Sequence, residues 1–500
     1  MKKRAYISVF DKEGIIDFAH ELVKNEFEIV STGGTFNLLK ENRIDVIEVS
    51  ELTGFPEMLH GKVKSLHPAI FGGLLADVTK PDEFAELNKL NIYPFDMVVV
   101  NLYPFEQVAA QTDNLDELIH NIDIGGVSLL RAGAKNNKNI TVVCDKADYA
   151  RAINANEALR QELALKAFAT TSNYDRIIGS KLCEVFGGNE TKNYTFEKIQ
   201  DLRYGENPHQ KAGLFLTGKE VDYEILWGKE LSYNNILDIT SAVNIISEFY
   251  DVPAVAIVKH LSPCGVALGK DILNAYQKAF DCDSISAFGG IVAFTKGVNA
   301  QLAKLLNSVF LEVIIAPDFD EEALEILQSK KNIRIVKLNT SLEDYKKITN
   351  EEIKITPFGV LIQDSDKKEL DKDTFKVVTK TKPTAEQIED AIFAWKVCKH
   401  AKSNAIVVAK DFKTLAIGQG QTNRVCAMEW ALDYACDESK DAVVASDGFF
   451  PAVDNIQAAA QGRISLIIQP GGSIKDADVI AEADKYNIAM ITTGIRHFRH

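Results

Sequence analysis

The sequence predicts an α/β protein of two regions, and three observations carry the prediction. From Ala5 to about Val143, short apolar runs alternate with amphipathic stretches, the pattern of a parallel sheet with helices on its faces. A polar stretch with two glycines, Phe186-Gly-Gly-Asn-Glu-Thr-Lys-Asn-Tyr194, then marks a boundary near residue 195. Beyond it the chain carries a faint duplication. Val313-Ile-Ile-Ala-Pro317 recurs as Leu466-Ile-Ile-Gln-Pro470, the Phe288 glycine turn has a counterpart in Ser446-Asp447-Gly448-Phe449-Phe450-Pro451, and Ala242–Val258 resembles Glu386–Val408. Two related α/β subdomains, about 196–370 and 371–500, follow from these matches, divided in the charge-rich Gln363-Asp-Ser-Asp-Lys-Lys-Glu369. At 500 residues the chain is longer than the roughly 250–300 at which single cores stop growing, so two or three domains are expected.

In the first region Ala5–Val9 reads as a strand, Ile15–Lys24 as an amphipathic helix, Phe27–Val30 as a strand and Phe36–Glu41 as a helix. Between the last two stands Ser31-Thr-Gly33-Gly34-Thr35. Its glycines let the backbone close around an oxyanion while the following helix offers free N–H groups; a glycine turn with a Thr cap reads equally well. The turn after the first strand adds the Ser8 hydroxyl and the Lys12 ammonium. Further on come Gly61-Lys62-Val-Lys64-Ser-Leu-His-Pro68, with its two lysines, and then three segments that pair apolar residues with a polar group at a bend or helix start: Val98–Phe105 with Tyr103, Ile122-Asp123-Ile-Gly-Gly126, and Leu130–Asn136 with Lys135. Each can aim chemistry at one crevice, or be a solvated loop, a packed turn or a helix cap. Residues 154–184 read as helices packed on this domain through Leu163, Ala164, Leu165, Ala167, Phe168 and Tyr174.

The second region opens on a dense polar loop, Leu202-Arg203-Tyr204-Gly-Glu-Asn-Pro-His-Gln210, and Leu231–Asp238 caps a helix running to about Phe249. Val255-Ala-Ile-Val258 reads as a buried strand that the Pro263/Gly265 pair stops at the sheet's edge. Lys259 and His260 then sit at a strand's carboxyl end, where open α/β sheets bind ligands. An imidazole there can take a proton while the lysine supports negative charge; the plainer reading is a surface Lys beside a hydrogen-bonding His. The tail Thr492–His500, basic in an acidic protein, reads as a frayed terminus.

Composition excludes several classes. A net charge of −15 argues against nucleic acid as a partner. The basic start lacks an apolar signal core and no segment offers 18 consecutive apolar residues, so a cytoplasmic protein without membrane spans is expected. Seven scattered cysteines without a Cys-x-x-Cys pair point to reduced thiols rather than disulfides or a zinc cluster.

Ser-Thr-Gly-Gly-Thr35, Glu51-Leu-Thr-Gly-Phe-Pro-Glu57, Val63-Lys-Ser-Leu-His-Pro68, Asn101-Leu-Tyr-Pro-Phe105 and Ile122-Asp-Ile-Gly-Gly126, in this order, resemble the N-terminal domain of the family that couples AICAR transformylase to IMP cyclohydrolase. The likeness runs to the C-terminus. It implies a methylglyoxal-synthase-like doubly wound parallel sheet for 1–195 and a pair of cytidine-deaminase-like α/β subdomains for 196–500. It also implies two reactions: formyl transfer from 10-formyltetrahydrofolate to AICAR, then dehydrative closure of FAICAR to IMP. For ring closure the matched residues are Lys64, Tyr103, Asp123 and Lys135, with Ser8, Lys12, Ser31, Gly33, Gly34 and Thr35 on the phosphate. For formyl transfer they are Lys259, His260 and Asn404, with Arg203, Tyr204, Asn235, Phe288, Gly289, Glu312 and Arg496 on the nucleotide; Glu312 stands where the family's animal members carry Asp. Phe449, Phe450, Pro451, Asp454 and Asn455 match the folate pocket, the rings packing on the pterin. The family folds the basic tail into a site shared across a homodimer. Pro263-Cys264-Gly265 lacks the second ligand cysteine of zinc deaminases, so no zinc is expected, while a monovalent cation stays open. A nucleotide-sensing binding protein, and a phosphate-eliminating lyase fused to a deaminase-like domain, are the competing readings.

Overall fold

Runs such as Met97-Val-Val-Val100 are apolar on both faces, and such strands belong in the middle of a covered parallel sheet. A computed structural model of the protein describes residues 2–500 apart from 60, 62, 190, 219, 349, 350, 372 and 373. It has two units, Met1–Tyr194 and Thr195–His500.

Among the described residues of the first unit, β1 (Lys3–Ser8), β2 (Phe27–Ser31), β3 (Val46–Glu48), β4 (Met97–Val100) and β5 (Thr141–Val143) form one sheet in the order β3-β2-β1-β4-β5. All four pairings are parallel. Alternate residues serve opposite layers. Ala5, Ile7, Met97 and Val99 pack with the helix Ile15–Lys24, whereas Tyr6, Val98 and Val100 pack with the helices Pro68–Leu75, Gly125–Lys135 and Glu157–Val185. The strand order reverses between β1 and β4, so the crevice for a ligand lies at their carboxyl ends.

Two expectations change here. The second helix starts at Gly33 rather than Phe36, which brings both glycines into its first turn. Residues 154–184 form one helix, Glu157–Val185, capped by the Asn156 side chain on the Leu159 N–H at 2.9 Å. Leu163, Ala164, Ala167 and Tyr174 face inward; Leu165 (72% exposed) and Phe168 lie on the opposite side of the turn, outside the packed face.

In the second unit, β6 (Glu197–Leu202) and β7 (Ala212–Leu216) form a separate ribbon. β8 (Tyr223–Trp227), β9 (Ala254–Lys259), β10 (Ser262–Leu268), β11 (Ile291–Phe294), β12 (Val313–Ala316) and β13 (Arg334–Leu338) follow. A second ribbon, β14 (Glu351–Thr356) with β15 (Gly359–Asp364), precedes β16 (Lys376–Val377), β17 (Ile406–Lys410), β18 (Lys413–Gly418), β19 (Val443–Ser446), β20 (Leu466–Gln469) and β21 (Ala489–Thr492). Among the described residues twelve strands make one mixed sheet, β16-β21-β20-β19-β17-β18-β10-β9-β11-β12-β13-β8.

The duplication is a topological one. Helix, hairpin, helix, then three strands related as antiparallel–parallel–parallel describe 233–338 and again 385–492: β9 and β10 correspond to β17 and β18, and β11-β12-β13 to β19-β20-β21. The repeats meet where β10 pairs antiparallel with β18 at Ala267 and Lys413. The pairs Val313/Leu466 and Ala242/Glu386 fall on equivalent elements. The Phe288 turn and the Ser446 turn do not, because the first precedes β11 and the second follows β19.

Pro263 and Gly265 do not end a strand; both lie inside β10. The chain instead reverses at His260 and Leu261, whose φ values of 54° and 64° make a two-residue hairpin turn without glycine. The strand carrying Lys259 is therefore antiparallel to both neighbours and not the end of an open parallel sheet. Gly265 answers a packing need: a Cβ there would sit 2.0 Å from the Ala279 carbonyl oxygen of the helix Ile272–Cys282. Gly265→Ala should lower stability by about 1–3 kcal/mol, the cost of overpacking, measurable as a shift in the urea midpoint.

Candidate active sites

At the switch point of the first unit, Ser8 ends β1 and Ser31 ends β2. The Ser31 hydroxyl is fully buried and donates to the Ile7 carbonyl at 2.7 Å. Thr35 Oγ1 accepts from the Val9 N–H at 3.2 Å and donates to the Val9 carbonyl at 3.1 Å, and Lys12 reaches both Thr35 Oγ1 (3.0 Å) and the Val9 carbonyl. Ser31 and Thr35 thus brace the loops, a change from the expectation that they hold phosphate with their hydroxyls. What faces the crevice is cationic. Lys64 Nζ lies 2.8 Å from where a Gly33 Cβ would stand, and burial together with the Lys64 charge pushes the Lys12 ammonium below its usual range. Two crowded ammonium groups at the start of a helix form an electrostatic seat for an anion.

Asp123 faces this seat. Its Oδ1 accepts the Gly126 N–H at 2.7 Å, and its own N–H is held by the Tyr174 hydroxyl at 2.9 Å, which in turn donates to the Asn121 carbonyl at 3.0 Å. Burial pushes the Asp123 carboxyl up, against the pull of the Gly126 and Tyr103 N–H groups and of Lys64. Tyr103 is half-exposed, with its ring 5.6 Å from that of Phe10, and burial and Asp123 raise its hydroxyl. Lys64, Tyr103 and Asp123 therefore meet. Lys135 does not join them: it is exposed at the far end of the helix Gly125–Lys135, about 15 Å of helical rise from the end that Asp123 precedes. Lys62 lies outside the described residues. Sequence reasoning passed over Asn101, whose amide accepts the Phe10 and Asp11 N–H groups and donates to the Asp11 carbonyl at 3.0 Å, fixing the loop that carries Lys12.

In the second unit the sheet topology assembles the site. The carboxyl end of β9, the amino ends of β11, β12 and β17, and the carboxyl ends of β19 and β21 all lie at one edge. That edge gathers Lys259 and His260, Phe288 and Gly289, Glu312, Asn404, the segment 447–455 and the tail. A cavity of about 430 Å³ opens there, walled by Lys259, His260, Asp283, Gln419, Gln421 and Tyr434 among others. Lys259 Nζ donates to the Phe288 carbonyl at 2.8 Å, and the Gly289 N–H donates to Phe310 at 2.7 Å. Asn235, in the capping box of the helix Tyr233–Ser247, donates to Glu312 at 3.0 Å. Asn234 ties the Arg203–Tyr204 loop to that helix start through the Glu206 carbonyl at 3.3 Å, and Arg203 lies over the Tyr204 ring.

Asn404 stands beside the cavity. Its Nδ2 donates to the carbonyl of Gln421, a cavity residue, at 2.9 Å, and its Oδ1 accepts from Arg424 at 2.7 Å. Arg424 is buried against Ser446 Oγ (2.8 Å) and against Asp447, which also receives the Ser403 hydroxyl. Among the described residues no group of three or more His, Cys, Asp or Glu side chains is placed to hold a metal ion.

A model described as AICARFT/IMPCHase bienzyme matches residues 133–434, and one described as MGS-like domain matches 14–128. A bifunctional purine biosynthesis protein PurH from Thermoanaerobacter sp. (strain X514) is 48% identical over 517 residues, and another from Caldicellulosiruptor saccharolyticus is 49% identical over 518; each match covers 100% of both chains. The chain belongs to the AICARFT/IMPCHase bienzyme family. It is a bifunctional enzyme of purine biosynthesis, an AICAR formyltransferase and IMP cyclohydrolase built from an MGS-like domain and a larger α/β region with a mixed sheet.

Within this bienzyme several expected site residues have other surroundings. Phe450 is wholly enclosed in the core between the helices Arg424–Ala435 and Asp454–Gln461, so its ring is not available to a pterin. Asn455 is also buried, donating to Asp454 at 2.9 Å while its Oδ1 has no partner; Phe449, Pro451 and Asp454 remain at the surface. The cavity wall includes neither Arg203 nor Asn404. The tail is not frayed: the Ser403 and Arg499 backbones pair, the His497 N–H bonds the Asp447 carbonyl at 3.1 Å, and His497 Nδ1 meets Asp366. Arg496 is exposed over the Phe498 ring. Arg424 and Asp447 were missed, although Ser446-Asp447-Gly448 stood out in the sequence as a turn.

Proposed function

We propose that the switch-point crevice of the first unit closes FAICAR to IMP and that the sheet-edge cavity of the second transfers the formyl group from 10-formyltetrahydrofolate to AICAR. The observation that carries the reading is that residues from six separate chain segments lie at one sheet edge, where Lys259 and His260 also wall a cavity.

In formyl transfer the AICAR amine attacks the formyl carbon, His260 takes the amine proton, and the folate nitrogen leaves with a proton as its C–N bond breaks. Lys259, anchored at the Phe288 carbonyl, supports the negative oxygen, and the second Asn404 N–H is free to bond it. Arg203 and Arg496 are forks for the phosphate, with Asn235 and Glu312 on the imidazole. Folate binds beside Phe449, Pro451 and Asp454. In ring closure the carboxamide nitrogen attacks the formyl carbon; Asp123 takes its proton and passes it to the oxygen that Lys64 and Tyr103 steady, and that oxygen leaves as water with the proton lost from the formamido nitrogen as the new C=N bond forms. Lys12, Gly33 and Gly34 hold the phosphate.

The protein acts in the cytoplasm as a homodimer, and the ribbon β14–β15 supports the pairing. Ile355 (85% exposed) and Val360, paired across the two strands, share one face, and with Phe358 in the turn they present an apolar surface that a lone two-stranded ribbon does not sustain in water. Seven free cysteines suit a reducing compartment.

The test is to mix AICAR with 10-formyltetrahydrofolate and follow IMP by absorbance; binding without turnover would overturn the reading. Asp123→Asn should slow closure of added FAICAR about tenfold to a hundredfold, a modest loss because intramolecular attack depends chiefly on a held near-attack geometry. As burial lifts this carboxyl and only its ionised form accepts the proton, kcat for closure should start to fall, as pH drops, above the range of an ordinary aspartate. A kcat–pH profile unchanged in Asp123→Asn would remove Asp123 from the role of base.

A further inference from the structure

A carboxylate behind the Lys259–His260 turn has no part in the scheme above. Asp238, on the helix Tyr233–Ser247, accepts the Leu261 N–H at 2.6 Å, and the His260 N–H bonds it as well. Both turn residues hold the left-handed conformation that side chains other than Gly and Asn resist. A half-buried acceptor for both N–H groups offsets that cost.

The second repeat contains the same device. Asp390 accepts the Asp411 N–H at 2.8 Å and the Phe412 N–H at 2.7 Å, and these residues have φ values of 53° and 54°. The carboxylate stands at the same interval after a capping box in each case, Ser232 to Asp238 and Thr384 to Asp390. The turns differ in what they present. Where the first has Lys259 and His260, the second has Lys410, spent on the Lys440 carbonyl at 3.0 Å, and Asp411. One repeat therefore uses the carboxylate only to hold a turn, while the other holds with it a turn that ends in an imidazole.

We propose that Asp238 is a positioning residue for formyl transfer: it fixes the His260–Leu261 turn so that the imidazole stays aimed into the cavity, and places a negative charge beside it. The proposal rests on the reading of His260 as the base. Of the other carboxylates around the turn, Glu312 is engaged with Asn235 at 3.0 Å and Arg334 at 3.9 Å, and Asp283, in the cavity wall, accepts the Ser286 N–H at 2.8 Å; the Lys259 ammonium is held by the Phe288 carbonyl, so none of them substitutes for Asp238 at the turn.

The experiment compares Asp238→Ala and Asp238→Asn with Asp390→Ala and Asp390→Asn in the full-length chain. It measures kcat and KM for formyl transfer, the rate of FAICAR closure, and thermal stability. Asp238→Ala should lower kcat for formyl transfer about 10²-fold, the scale of a reactive group displaced by about 1 Å, with KM for AICAR and folate near the parent values. Asp238→Asn, which keeps an acceptor oxygen without the charge, should fall between and serves if the alanine variant does not fold. The Asp390 variants should lose comparable thermal stability and keep the parent kcat. Equal stability losses with kcat preserved in both pairs would reduce Asp238 to a structural tie and overturn the proposal, as would a loss confined to KM. An Asp238→Ala enzyme of normal kcat beside an inactive His260→Ala enzyme refutes positioning alone; an active His260→Ala enzyme refutes the base itself.

Discussion

His260→Ala should reduce formyl transfer about 10²–10⁴-fold while closure of added FAICAR proceeds at the parent rate. The lower bound is the worth of a positioned base; the upper reflects an aromatic amine whose proton must leave as the C–N bond forms. Lys259→Ala should act in the same direction through loss of charge support for the oxyanion, and through release of the Phe288 carbonyl that Lys259 now holds at 2.8 Å. Closure is unaffected because Lys64, Tyr103 and Asp123 belong to the first unit, which has its own sheet and cores. Paired assays, one supplied with AICAR and folate and one with FAICAR, separate the two activities. Simultaneous loss of both in a folded His260→Ala enzyme would mean the assignment of one reaction to each unit is wrong.

The second large effect is structural. Asp447→Ala should cost about 3–5 kcal/mol in urea unfolding, the range for removing one partner of a buried ion pair and leaving the other charge uncompensated. Asp447 is almost without exposure and Arg424 nearly so, and the pair sits among apolar residues of the second repeat. More than stability depends on it. Arg424 holds Asn404 by its Oδ1, and Asp447 holds Ser403 by its hydroxyl and the tail by the His497 N–H. Formyl transfer by the folded fraction should therefore fall as well, with closure spared. A loss under about 1 kcal/mol would show that water reaches the pair and that the buried-charge argument fails.

Much of this was legible because it rests on period and order. The alternation of apolar runs through Val143 is how a doubly wound sheet must be written, and the glycines and the Asn101-Leu-Tyr-Pro-Phe105 turn fall at strand ends, the edge at which open α/β sheets generally bind ligands. The likeness of Val313–Pro317 to Leu466–Pro470 marked equivalent central strands. What escaped is what turn chemistry does not announce. Pro263 and Gly265 looked like punctuation, yet the reversal happens at His260 and Leu261, which carry no turn signal because their support is a carboxylate 22 positions before His260, at Asp238. The matching intervals Ser232–Asp238 and Thr384–Asp390 were the available clue. Side-chain direction was equally hidden: Phe449 and Phe450 are neighbours in the sequence, and the irregular segment after β19 leaves one exposed and buries the other in the core. Lys135 has the right chemistry on the wrong end of its helix, a distance that only the helix's extent reveals.

The junction of β10 with β18 sets two like halves head to tail, so each rim of the large sheet carries one reversal from one half and strand exits from the other. The two rims therefore differ in what their reversals expose: one presents the His260 imidazole, and the opposite rim, built on the same scaffold, presents Asp411 and Phe412.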